Sequence, residues 1–304
     1  HIMMRMPARQ RGLTMVELLV ALALSTVIAL AAVAALVVSR RGFTSVDAAS
    51  ELRDNGRFSA SMLQRITAQA AYLDWQFAMV NRLGEDLANP PPNISGFNNA
   101  LIVSSTTPID DANPTNAAAA QNGNRSGDCN TLAGGGCSDI LVVRYQPQAI
   151  PGAAAAGSPP MPPSDGSMID CSGRPLADAP TSRDDQGISI FHIAAHRNEP
   201  TLMCSFGTQR MLNGALTYTW EPAIPIVSNV ENLQALLGTD GVSPGVPPTT
   251  AIDSVPDRYL RADQMLVPGN QAATNQNWRR VRSVRIGMIL LGPVGSQQGS
   301  DTVE

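Results

Sequence analysis

The chain has 304 residues, of which 43% are hydrophobic and 15% charged, and its formal net charge is −4. That length suits one large domain or two small ones, and the acidic balance provides no global basic field, so nucleic-acid binding is not favoured. The 25 glycines and 23 prolines indicate long loops around a modest core.

An apolar segment lies near the amino terminus, from Leu13 to Val38, and Glu17 is its only charged residue. As a helix it would be about 39 Å long, against a hydrocarbon core of about 30 Å, so we expect residues 13–38 to span a membrane with some tilt. We interpret residues 1–3 as an expression scar before a native start at Met4. Arginines flank the segment on both sides, so the positive-inside rule does not orient it.

Glu17 is the unusual residue of this segment. A lone ionised carboxylate deep in a membrane helix costs about 3 kcal/mol on insertion scales, although Glu17 lies close enough to the end of the segment to snorkel. Cleavage between Gly12 and Leu13 would create a new amino-terminal cation. In a neighbouring subunit shifted along the helix axis, that cation would neutralise Glu17.

The stretch "RGLTMVELLVALALS" resembles the class III signal of type IV pilins and type II secretion pseudopilins. The resemblance implies that residues 4–12 are a basic leader, that a prepilin peptidase cuts between Gly12 and Leu13, and that Leu13 is then N-methylated. Glu17 would pair with the amino terminus of an adjacent subunit during assembly.

The segment 39–75 is amphipathic and predicts the second half of the same helix, ending at about Tyr72. The predicted apolar stripe consists of Val46, Ala49, Leu52, Phe58, Met62, Ile66 and Ala70. We expect this stripe to pack against a sheet, while the first half of the helix serves as membrane anchor and filament core.

The stretch "SELRDNGRFSASMLQRITAQAAY" resembles the corresponding helix of PilW-type minor pilins, and weaker similarities to that family continue through "SDILVVRY" to "RRVRSVRIGMILLG". The resemblance implies the type IV pilin fold. Two features depart from the family: its Asp-rich loop is reduced to residues 239–241, and the chain stops at Glu304 without the expected final strand. We therefore expect the carboxy-terminal sheet to be truncated.

Residues 76–304 predict a β-rich head, which together with the long helix gives an α+β fold with an antiparallel sheet. Turn residues separate the β-branched stretches, and a short helix is predicted over 230–238. Strands are predicted at 100–105, 139–145, 187–195, 201–206, 216–220 and 281–291. Long surface-exposed loops are expected at 105–128, 146–186 and 239–257.

Four cysteines allow three pairings. Local loop closure favours Cys129 with Cys137, which leaves Cys171 with Cys204. Two such disulfides imply an oxidising compartment and place the head outside the cytoplasm. Four buried free thiols are the alternative.

Candidate catalytic and metal sites are few. His192 and His196 have the spacing of a helical metal pair, but in a strand about 13 Å would separate them, so no metal site is predicted. The pairs Asp110–Asp111 and Asp184–Asp185 lack the spacing of a calcium loop and are interpreted as solvated loop charges. No phosphate loop or nucleophile elbow is present. We predict neither an enzyme nor a cofactor.

The resulting hypothesis is a minor pilin of the PilW type in a priming and tip complex that initiates pilus assembly and supports twitching motility and adhesion. The implied partners are other minor pilins, the major pilin, the prepilin peptidase, the inner-membrane assembly platform and a large tip adhesin. Before assembly the chain would lie in the inner membrane with its amino terminus cytoplasmic and its head periplasmic, and after assembly at the pilus tip on the cell surface. A minor pseudopilin of a type II secretion system is the alternative, although its counterparts tend to be shorter.

Overall fold

The computed structural model describes residues 14–78, 89–100, 102, 108–109, 138–150, 163–249 and 252–292. The chain divides into two compact units, one of residues 1–51 with 292–304 and one of residues 52–291. We describe each unit by itself. The α+β class predicted from the sequence is confirmed, because a long amino-terminal helix is followed by antiparallel sheets.

The first helix, α1, covers Met15–Ala68. All residues from 15 to 38 are exposed, including the large side chains Leu18, Leu22 and Leu30. Among the described residues, α1 is the one helix long and apolar enough to cross a membrane, with a mean hydropathy of 2.6 in its most apolar window. Ser25 and Thr26 satisfy their hydroxyls within the helix, because they donate to the carbonyls of Leu22 and Ala23. The side chains of this stretch therefore suit an apolar environment outside the subunit.

In the second unit the carboxy-terminal part of α1 buries one face. Ser59, Leu63 and Ile66 are almost fully buried, at 0%, 2% and 0% exposure. The predicted stripe was wrong at Phe58, which is 53% exposed, and at Val46 and Ala49, which are exposed and lie in the first unit. The buried face instead includes Ser59, beside Leu63 and Ile66.

The larger sheet has five antiparallel strands in the order β1-β2-β3-β4-β5. They are β1 (Ile94–Phe97), β2 (Ile140–Tyr145), β3 (Gln186–His196), β4 (Glu199–Leu212) and β5 (Ala215–Ser228). A four-residue helix, α2 (Trp75–Ala78), precedes β1. The predicted strands at 139–145, 187–195, 201–206 and 216–220 are confirmed, but most of the strand predicted at 100–105 lies outside the described residues.

Both faces of this sheet are covered at β2, which explains why every residue of that strand is buried. Leu141 and Val143 belong to the cluster that includes Leu63 and Ile66 of α1. Their neighbours on the opposite face of β2 belong to a second cluster with Phe97, Ile188 and Ile190. Strands buried on both faces read as continuous apolar runs, as "ILVV" does here.

The smaller sheet has three antiparallel strands in the order β7-β6-β8. They are β6 (Val230–Thr239), β7 (Arg258–Leu260) and β8 (Val281–Leu290), and the connection from β7 to β8 contains a 3-10 helix (Ala262–Met265) and α3 (Gln271–Trp278). The helix predicted over 230–238 was wrong, since this segment is β6. Leucines at 233, 236 and 237 mimic helical spacing, yet Leu233 and Leu237 point into the core and Leu236 is only partly buried.

A strap of residues 163–185 crosses the sheet and reaches the end of α1. The disulfide Cys171–Cys204 ties the strap to β4, and it is one of the two pairs expected from the sequence. Gln69 pairs with the strap backbone, because its amide donates to the carbonyl of Ile169 at 3.0 Å and accepts from the N–H of Ile169 at 2.9 Å. The expectation of a surface-exposed loop over 146–186 is therefore wrong for this part. Cys129 and Cys137 lie outside the described residues.

Candidate assembly site at the start of the apolar helix

Glu17 lies in the first turn of α1, next to the residue that precedes the helix. The N–H and the hydroxyl of Thr14 both donate to Oε2 of Glu17 at 2.9 Å, and the N–H of Glu17 donates to Oγ1 of Thr14 at 3.3 Å. This reciprocal pair is a capping box, in which residues three apart satisfy each other's open groups. The spacing Thr-x-x-Glu is the signal in the sequence from which this geometry could have been found.

The capping box fixes where the carboxylate lies. Glu17 is exposed and is held at the amino-terminal end of the helix, where the helix dipole favours an anion. Its Oε2 accepts two hydrogen bonds from Thr14, and Oε1 accepts none from the described residues. An incoming cation can therefore reach the carboxylate without disrupting the first turn of the helix. Gly12 and Leu13, the predicted processing and methylation residues, lie outside the described residues.

The two histidines do not form a site. His192 is buried on β3 and its Nε2 lies 3.1 Å from Oγ of Ser205, whereas His196 ends the same strand. Burial lowers the pKa of His192 to about 4, so its ring is neutral at physiological pH. Within the described ranges no group of three or more His, Cys, Asp or Glu side chains is placed to hold a metal ion.

The interpretation of Asp184–Asp185 as solvated loop charges was wrong, because both residues are buried. The carboxylate of Asp185 accepts from the N–H of Met211 at 2.8 Å and from the hydroxyl of Thr181 at 2.7 Å, and Arg210 lies 3.3 Å away. Burial disfavours the charged form, but these donors outweigh it and lower the pKa of Asp185. Asp185 therefore holds the strap to β4. The pair Asp110–Asp111 lies outside the described residues.

A second buried carboxylate joins the two sheets. Asp139, immediately before β2, accepts from the N–H of Ala235 on β6 at 2.8 Å and from the N–H of Asn99 at 2.9 Å. Its own N–H donates to the carbonyl of Leu233 at 2.7 Å. Burial raises the pKa of Asp139, and the two N–H donors only partly oppose that shift. These contacts fix β6 beside β2.

Together these features define a class of protein. An uncovered apolar helix begins at a capped glutamate, continues into a head and packs there on antiparallel strands tied by a disulfide, as in a pilin. Within the described residues, the buried carboxylates Asp139 and Asp185 make structural contacts.

Comparison with known families agrees with this class at both ends of the chain. Residues 7–33 match the prokaryotic N-terminal methylation motif, and residues 190–304 match the type IV pilus-assembly protein W family, PilW. No curated protein and no solved structure matches the chain significantly. The chain is thus similar to the PilW family of type IV pilus proteins over residues 190–304 and to prepilin-type amino termini over residues 7–33. That family is a structural component of the pilus and not a family of enzymes, and the motif and the apolar helix are consistent with membrane anchoring and display on a pilus.

Proposed function

We propose that this chain is a minor pilin of the priming and tip complex, which initiates pilus assembly and supports twitching motility and adhesion. The observation that carries the proposal is the capped Glu17 at the start of an apolar helix whose residues 15–38 are all exposed. An exposed apolar stretch of this length needs a membrane or neighbouring helices around it.

The proposed cycle begins with processing. A prepilin peptidase removes the leader 4–12 by cutting between Gly12 and Leu13, and Leu13 is N-methylated. The chain then waits in the inner membrane, with residues 13–38 as its single span, its amino terminus cytoplasmic and the head of residues 76–304 periplasmic. The segment 39–75 links the span to that head. After assembly the head lies at the pilus tip on the cell surface.

During assembly the carboxylate of Glu17 binds the methylated amine of a neighbouring subunit. The Thr14 bonds to Oε2 hold the carboxylate in place for this contact, and the Oε1 side is available to the amine. A buried charge pair of this kind favours one register between helices, because a mismatch leaves an unpaired charge in an apolar core. The partners are other minor pilins and the major pilin, brought together at the inner-membrane platform, with a large tip adhesin beyond them.

The head fits a structural role in this cycle. The disulfide Cys171–Cys204 suits an oxidising compartment, and a second disulfide between Cys129 and Cys137 is proposed in the same head. The described polar contacts tie the strap, the sheets and the helix together.

Deletion of the gene tests the proposal when surface pili, twitching motility and type II secretion are scored side by side. We expect pili and motility to fall and secretion to stay intact, and the intact gene supplied in trans should restore both. Loss of secretion with normal pili would assign the chain to a pseudopilus instead.

A further inference from the structure

Two arginines, Arg40 and Arg41, follow the apolar stretch of α1, and both are exposed. They are the only basic residues of the sequence between Leu13 and Leu52. Helix α1 continues through them, and the hydroxyl of Thr44 donates to the carbonyls of Arg40 at 3.2 Å and of Arg41 at 3.0 Å. The helix therefore fixes how far the two arginines lie beyond the apolar stretch.

Arg40 has no counterion within its own helix. Residues that pair on a helix surface lie three or four positions apart. For Arg40 these positions hold Leu36, Val37, Phe43 and Thr44, none of which is acidic. In the part of the chain that the structure describes, no carboxylate forms an ion pair with Arg40. An anion that binds Arg40 therefore has to approach from outside these residues.

The depth of Arg40 in a bilayer follows from the length of the apolar stretch. Residues 15–38 measure about 36 Å along the helix, whereas the apolar core of a bilayer is about 30 Å thick and the whole bilayer about 40–45 Å. Arg40 lies two residues, or about 3 Å, further along the helix. Because helix side chains lean toward the amino terminus, the side chain of Arg40 leans back toward the membrane. The anions at that depth are lipid phosphates.

The order of charges along the helix suits a negative membrane surface. After Glu17, the first acidic residues of the sequence are Asp47 and Glu51, and both are exposed. They lie about 10 Å and about 16 Å beyond Arg40 along the helix. The potential of an anionic surface falls off within a Debye length, which is about 8 Å at physiological salt. The arginines therefore lie where that potential attracts them, and the carboxylates lie where its repulsion is weak.

Phe43 adds an apolar contact beside Arg40. Its side chain is 69% exposed. It lies three residues after Arg40 and so on the same face of the helix, and its ring leans back toward the turn that carries Arg40. An arginine beside an exposed aromatic ring matches the boundary between lipid headgroups and acyl chains, where amphipathic helices place both kinds of side chain.

We propose that Arg40, together with Arg41, binds the phosphate of an anionic phospholipid in the leaflet where the apolar stretch ends. The planar guanidinium donates two parallel hydrogen bonds to the phosphate oxygens. A zwitterionic lipid binds more weakly, because its own ammonium group opposes the arginine. The inference rests on the membrane span of the proposed function and names the partner of its outer end.

The test uses the full chain in phosphatidylcholine nanodiscs that contain a trace of a lipid with a photoactivatable headgroup. The probe is either phosphatidylglycerol or phosphatidylcholine, and mass spectrometry maps the crosslinked residues. At residues 39–44 we expect the phosphatidylglycerol probe to crosslink at least about fivefold more than the phosphatidylcholine probe, because one arginine near an anionic surface contributes about that factor. The ratio should fall as sodium chloride is added.

Three variants identify the responsible charge. Arg40→Gln should lower the crosslinking ratio about fivefold, whereas Arg40→Lys, which keeps the charge, should lower it less than about twofold. Asp47→Asn also changes the charge of the helix by one and should alter the ratio less than about twofold. Glutamine and lysine are helix formers as good as arginine, and far-ultraviolet circular dichroism verifies that α1 is intact.

Three outcomes would overturn the proposal. They are equal crosslinking by the two probes, an unchanged ratio in Arg40→Gln, and suppression of the crosslinks by inorganic phosphate but not by sodium chloride of the same ionic strength. The third outcome would assign the arginines to free phosphate. A chain that does not enter nanodiscs at all would contradict the membrane span of the proposed function as well, whereas an inserted chain without lipid preference would contradict this inference alone.

Discussion

The two halves of α1 use their apolar side chains differently. From residue 15 to residue 38 every side chain is exposed, whereas from residue 52 to residue 68 one face is buried against the head. The second half therefore obtains its stability within the subunit. The first half must obtain it from a membrane or from other subunits, which is the requirement that a polymerising anchor has to meet.

Substitution of Glu17 should show most clearly that the first half of α1 serves assembly. Glu17→Ala leaves the apolar segment able to insert but removes the anion that binds a neighbour's amine, so surface pili should fall by about tenfold or more. Quantitative immunoblotting of sheared pili and of membranes measures both effects. Glu51→Ala, an exposed glutamate later on the same helix, is the control and should leave piliation unchanged. Normal piliation of cells that carry Glu17→Ala would contradict the proposed pairing of Glu17 with a neighbour's amine.

Substitutions on the buried face of the second half of α1 should lower the stability of the subunit, in addition to any effect on assembly. Ile66 is fully buried in the main cluster, so Ile66→Ala should lower the free energy of unfolding by about 2–5 kcal/mol. Phe58→Ala, at an exposed position on the same helix, should change it by less than about 0.5 kcal/mol. Denaturant titration of the detergent-solubilised chain provides both values, and equal losses would mean that the head does not pack on this face.

Removal of the strap's covalent tie should have a slightly smaller effect. The disulfide Cys171–Cys204 closes a loop with a sequence separation of 33 residues, and its loss through paired serine substitutions should cost about 2–4 kcal/mol. Non-reducing peptide mapping should recover this pair, and Cys129 with Cys137, from the native protein. Free thiols at all four positions would contradict the placement of the head in an oxidising compartment.

The buried histidine should make the head sensitive to mild acid. The pKa of His192 is about 4 in the folded chain and near 6.5 when unfolded, so the unfolded state binds a proton first as the pH falls. Stability is therefore lost progressively from about pH 6.5 down to about pH 4, by about 2 kcal/mol at about pH 5. Thermal melts of His192→Gln should show less loss over this range.

Asp185 should affect the stability of the head at lower pH than His192 does. Its pKa is lowered in the fold, so its stabilisation is present above the ordinary value for an aspartate and is lost below it as the pH falls. The two titrations are thus separable. An acid loss that is the same in His192→Gln as in the wild type would assign the sensitivity to another group.

The sequence was sufficient for features that depend on local pattern. The apolar run predicted α1, and β-branched stretches predicted β2, β3, β4 and β8, because a period of two or an unbroken apolar run distinguishes strands from an amphipathic helix. The Thr-x-x-Glu spacing, from which no capping box was predicted, is a further local signal for the geometry of Thr14 and Glu17.

Features decided by tertiary contacts could not be derived from local pattern. The segment 230–238 has leucines at helical spacing, yet it forms a strand because Ser138 and Asp139 bind its backbone. The buried face of α1 contains Ser59, whose hydroxyl donates to the carbonyl of Asn55 and so needs no partner from the sheet. Asp185 is buried because donors from Thr181 and Met211 surround it. For β6 and for Asp185, a decisive partner is distant in sequence. For Ser59, the polar side chain would ordinarily predict an exposed position.

The most direct test of the account is the mass of the amino-terminal peptide of the membrane-bound protein, isolated from its own cells. If the exposed half of α1 is a processed anchor that polymerises, that peptide begins at an N-methylated Leu13. A peptide that begins at Met4 and retains residues 4–12 would contradict the account.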